Sequence, residues 1–112
     1  MEEKQWAPYK QYLNNMFEKI DKRRLYELMD MYLSGQINAW TFCEEYHDCF
    51  GLEVDLKTLT KREEDAFTAL STVAGRFSKF EEDFKRYPGV YFTEEQLRQK
   101  VIETVELLKS QV

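Results

Sequence analysis

Apolar residues recur at steps of three and four along almost the whole of this chain, and no stretch of four or more residues alternates convincingly enough to suggest a strand. That periodicity points to an all-helical fold assembled from amphipathic helices. Trp6, Tyr9, Leu13, Met16, Phe17 and Ile20 form a first stripe, with Pro8 tolerated in an opening turn that has no amide partner to lose. The five-residue step from Ile20 to Leu25 breaks phase, so a turn or kink is expected around Asp21 to Arg24. A second stripe follows in Leu25, Leu28, Met29, Tyr32 and Leu33, and Gly35 supplies the left-handed residue that ends it.

Asn38 can cap a third helix with Ala39, Phe42, Cys43, Tyr46, Cys49 and Phe50 inward, closed by Gly51. The link from Ser34 to Asn38 is short enough to force an antiparallel hairpin. Leu52 to Leu59 reads as a loop, after which Thr60 and Glu63 form a capping box. The seam that follows, Ala66, Leu70, Val73, Phe77, Phe80 and Phe84, can run as one helix toward Tyr87. Gly75, and a second capping box in Ser78 and Glu81, offer a break, so residues 61–87 are compatible with one helix or two. Pro88 and Gly89 end this segment, and Thr93 with Gln96 opens a last helix with Leu97, Val101, Val105 and Leu108 inward. Five amphipathic helices on short loops make a bundle, and no repeat or domain linker is visible.

A chain of 112 residues is expected to be one compact domain, and 43% hydrophobic residues supply a core, which excludes disorder. Met1 to Lys10 carries charges and a Trp where a signal peptide needs an apolar stretch, and nothing approaches a membrane span, so a cytoplasmic protein is expected. Cys43 and Cys49, about 9 Å apart along a helix, are too distant to bridge. Both read as reduced thiols, with Cys43 expected in the core.

Catalytic chemistry has little to stand on. The one histidine, His47, falls opposite the inward face of its helix, and its sequence neighbours Asp48 and Cys49 diverge from it. A Ser or Cys nucleophile would therefore lack a base. Glu44 and His47 share a helix face, but a two-metal helical site needs a second such pair. The four glycines are isolated, which leaves no phosphate-cradling loop. No enzyme activity, cofactor or metal is expected.

Charge placement is more informative. Net charge is −5, which argues against a non-specific nucleic-acid binder. From Leu25 to Leu56 there are seven acidic residues and no Lys or Arg, so this segment carries −7 and the remainder +2. The seven are Glu27, Asp30, Glu44, Glu45, Asp48, Glu53 and Asp55, and they have no compensating partner within the segment. A solvated helix face is one reading; a surface that steers a basic partner is the other. Glu81, Glu82 and Asp83 form a second acidic cluster, with Glu94 and Glu95 beyond it, the last two also suiting a helix N-terminus.

Residues 25–46 resemble the opening hairpin of the colicin D type immunity proteins, in which a helix ends in Phe/Tyr-Leu-x-Gly-Lys-Ile and a small capping residue and Glu-Phe follow. Tyr32, Leu33, Gly35 and Ile37 match; Gln36 replaces the usual Lys, and Thr41 precedes Phe42 where Glu is common. Arg76, Phe77 and the acids Glu81 to Asp83 are similar to a further family segment, and the run from Tyr91 to Arg98 is similar to the start of its last helix. The resemblance covers roughly Leu25 to Leu108. It implies an antiparallel four-helix bundle over residues 25–112, with residues 1–24 an additional N-terminal helix, within one compact domain. It also implies an immunity protein of the bacteriocin or contact-dependent growth inhibition kind, bound one to one to a cognate toxin that is often a tRNA-cleaving nuclease. The inhibitory face in such proteins is acidic and stands in for RNA phosphates. The partner-binding residues expected here are Glu44, Glu45, Asp48, Glu53, Asp55, Glu81, Glu82, Asp83, Tyr91 and Glu94. The competing expectation is a helical adaptor or regulatory subunit with an exposed aromatic groove, suggested by Trp6, Trp40 and 15 Phe plus Tyr.

Overall fold

The computed structural model describes residues 21–109, so the first stripe, residues 6–20, lies outside them. The described residues are predominantly helical and contain no strand. Five α-helices follow one another: α1 (Arg23–Leu33), α2 (Ala39–Asp48), α3 (Lys61–Ala74), α4 (Glu81–Arg86) and α5 (Glu94–Lys109). α2 packs on α1 and α3, α3 packs on α5, and α5 returns to α1, so the four longer helices enclose one core.

Local hydrogen bonds set the helix starts. α1 begins at the phase break, where the Arg23 N–H donates to Asp21 Oδ1 at 2.8 Å. Asn38 Oδ1 accepts from the Thr41 N–H at 2.8 Å, capping α2. Thr60 and Glu63 exchange bonds of 2.8 and 3.1 Å at α3, and Thr93 and Gln96 do the same at α5. Gly35 at φ +87° turns the chain out of α1.

Residues 61–87 form two helices. α3 stops at Ala74, and the chain beyond Gly75 pairs with the approach to α5: Phe92 N–H donates to Arg76 O at 2.7 Å, and Ser78 N–H to Phe92 O at 3.0 Å. Those bonds satisfy backbone groups that a continued helix would have satisfied itself. The Ser78–Glu81 capping box does not form. Ser78 Oγ instead accepts from the Phe80 N–H at 3.1 Å and donates to Asp83 Oδ2 at 2.5 Å. The break removes Phe80 from the expected seam and leaves it 58% exposed.

Gly51 does not close α2. Residues Cys49–Glu53 form a π-helical turn in which the Val54 N–H donates to Cys49 O at 2.8 Å. At α-helical spacing, the position inward after Phe42, Tyr46 and Cys49 would be Glu53. The wider turn carries Val54 into the core and leaves Glu53 half-buried.

The core is an aromatic series. Tyr32, Phe42, Tyr46 and Phe50 stack at centroid separations of 5.1, 5.5 and 5.7 Å. Phe67, absent from the expected seam, is wholly buried against Tyr46 and Phe50 and accepts the Tyr46 hydroxyl on its carbonyl at 2.7 Å. Both thiols are free, and Cys49 rather than Cys43 is the fully buried one. Burial holds both up at about 12, so neither is a reactive thiolate.

Candidate functional site: an acidic face beside α2

Glu27 on α1, Glu45 on α2 and Glu53 on the π-turn gather around Arg24, and Asp48 on α2 lies near Glu53. Its guanidinium lies 3.6 Å from Glu27 and 3.7 Å from Glu45. One residue before the acidic segment, Arg24 thus supplies the compensating cation that the segment itself lacks. Both pairs are open to solvent and add little stability. The surplus is negative: Glu53 is pushed above the usual carboxylate range by burial and then by Asp48 and Glu45, and Arg24 only partly offsets this. Glu44, Asp48 and Glu53 make no ion pair with other described residues.

The other expected residues have different surroundings. Asp55 accepts the Lys57 N–H at 3.0 Å and so caps the short 3-10 turn Leu56–Thr58 beside the acidic face. Glu81, Glu82 and Asp83 occupy the first turn of α4, where Glu82 lies 3.4 Å from Arg86 and Asp83 turns back to Ser78. Tyr91 is half-buried against Phe84 and Tyr87, at 6.4 and 6.2 Å. Glu94 is exposed on the first turn of α5, and its charge adds to burial in pushing the Tyr32 hydroxyl up. His47 is exposed on α2, and Trp40 is 51% exposed.

Two features of this face and its surroundings do not follow from helical periodicity. Leu52 and Leu56 stand 69% and 47% exposed on either side of Glu53 and Asp55. Their signal is the run Leu-Glu-Val-Asp-Leu at residues 52–56, whose strand-like alternation would put Leu52, Val54 and Leu56 on one face, whereas the fold buries Val54 and leaves both leucines outside. The second is Glu63, recognised only as a cap. Its carboxylate also takes a 2.6 Å bond from the Tyr26 hydroxyl and a 2.9 Å ion pair from Lys22.

Among the described residues no three His, Cys, Asp or Glu side chains converge on a metal site, and no helix is long and apolar enough to cross a membrane. A family model described as bacterial self-protective colicin-like immunity matches residues 12–108. Neither a curated protein nor a solved structure matches the chain. The family match carries a toxin-neutralising role and starts upstream of Leu25, where the resemblance in the helix motifs begins. Covering far more than half of the sequence, it shows that this chain belongs to the colicin-like immunity family.

Proposed function

We propose that the toxin neutralised by this chain acts through a basic, RNA-cleaving nuclease domain, and that the acidic face beside α2 covers that domain's active site in a one-to-one cytoplasmic complex. A nuclease must present Lys and Arg to hold RNA phosphates, and carboxylates on a rigid helical scaffold can take the same groups through charge-assisted hydrogen bonds. The observation that carries this reading is the clustering of Glu45, Asp48 and Glu53 with a single cation, Arg24, among them. A field of that sign speeds capture of a basic partner. Inhibition of this kind requires no catalytic residue in the inhibitor. The same reading takes the longer helices as the family's antiparallel four-helix bundle, with residues 1–24 an added helix.

The test uses a cognate toxin domain, sought first in the reading frame neighbouring that of this chain. Reversing Glu44, Glu45 and Asp48 to Lys is expected to lower the association rate, weaken binding by about 2–5 kcal/mol and flatten its salt dependence. Unchanged affinity would move the interface elsewhere, most directly to Glu81, Glu82 and Asp83.

A further inference from the structure

We infer that Leu52 and Leu56 form an apolar anchor within this acidic face, and that its occupant is a basic surface of the toxin domain presenting an apolar or aromatic side chain among its cations. The inference rests on the proposed function for the identity of the partner; the anchor itself is argued from the fold. Leu52 is the most exposed large hydrophobic side chain among the described residues. With Gly51, Val54, Asp55, Leu56 and Lys57 it lines a shallow groove of about 410 Å³.

That groove is held in shape without a partner. Val54 is buried beneath it, and the backbone on either side is tied by Val54 N–H to Cys49 O at 2.8 Å, Thr58 N–H to Asp55 O at 3.0 Å and Leu59 N–H to Leu56 O at 3.2 Å. A surface already ordered loses little entropy on binding, and π-turns of this kind recur at functional sites.

Charge selects the occupant. Residues 44–57 hold five carboxylates, Glu44, Glu45, Asp48, Glu53 and Asp55, against Lys57, and the cations that other segments bring to them, Arg24 at 3.7 Å from Glu45 and Lys22 on Thr58 O at 3.1 Å, are themselves shared with Glu27 and Glu63. The rival apolar surface, Phe80, Tyr87 and Val90, lies where Glu81, Glu82 and Asp83 are matched by Lys79, Lys85 and Arg86. A neutral surface of that kind specifies no partner charge, whereas the groove beside α2 is complementary only to a basic one. Interfaces of this composition divide the work: a few desolvated apolar anchors set the lifetime of the complex, and the charged rim sets the rate of encounter.

The experiment compares three variants against a cognate toxin domain by surface plasmon resonance at several salt concentrations. Leu52→Ser with Leu56→Ser is expected to raise Kd about ten- to hundredfold through faster dissociation, with the salt slope unchanged. Leu52→Met with Leu56→Met is expected to restore most of the affinity, because Met refills an apolar contact. Glu45→Lys with Asp48→Lys should instead slow association and flatten the salt slope. If the serine variant binds within about twofold of the unaltered chain while the charge reversal weakens binding, the anchor is overturned and the acidic mechanism stands. If neither the serine variant nor the charge reversal changes binding, the acidic face is not the interface and both readings fail. A melting temperature lowered by several degrees in the serine variant would also overturn the anchor, since it would mean the leucines are packed in the free protein.

Discussion

Glu63 shows how much one side chain can carry. It stands at the third position of α3, where any Glu or Gln could complete the capping box with Thr60, yet it is only 4% exposed. Burial pushes its carboxyl up, but bonds from Tyr26, the Thr60 amide and Lys22 together outweigh this and hold it below its ordinary 4.5. In the unfolded chain the group therefore takes up a proton at higher pH than in the folded one. Its contribution to stability is complete above about pH 4.5 and is lost as pH falls through the depressed folded value. Glu63→Gln is expected to destabilise the protein by about 1–3 kcal/mol near neutral pH. It should also flatten the decline of melting temperature between about pH 6 and pH 3, which thermal melts across that range would check. The capping role was legible from Thr60 and Glu63 three residues apart. The ties to Tyr26 and Lys22 were not, because they span 37 and 41 residues of sequence.

At the scale of elements, turns distinguish two glycines that look alike in the sequence. Gly35 sits at φ +87°, so an alanine there would be strained by about 1–2 kcal/mol. Gly51 lies inside the π-turn, and an added Cβ would meet nothing within 4 Å. Gly51→Ala is therefore expected to raise stability by about 0.4–1 kcal/mol through the unfolded chain. Urea unfolding midpoints of the two variants should move in opposite directions. The caps at Asn38, Thr60 and Thr93 could be read from sequence because each is a contact across three residues. The break after Gly75 could be anticipated only as one of two options, since what fixes it is Phe92, supplied by a later segment.

For the whole molecule, the acidic face is maintained against the interest of the fold. Glu53 is half-buried beside Asp48 and Glu45, with its carboxyl raised by burial first and by those charges second. Neutralising it in Glu53→Gln is expected to raise the melting temperature of the free chain, more at low salt than at high, while weakening capture of the toxin domain. Calorimetry and binding measured on the same variant would check both halves. The sequence by itself determined the helical class, the capped helix starts at Asn38, Thr60 and Thr93, the net −7 on residues 25–56 and the motifs that resemble the immunity family, because periodicity, capping and composition are local properties. Only the tertiary structure decided that Arg24 sits among the acids, that Phe67 closes the aromatic core, that Glu63 is tied to α1 and the residue before it, and that Leu52 is turned outward. Each of those outcomes depends on which distant segments meet and on which backbone groups they satisfy, and no spacing within a single helix encodes that.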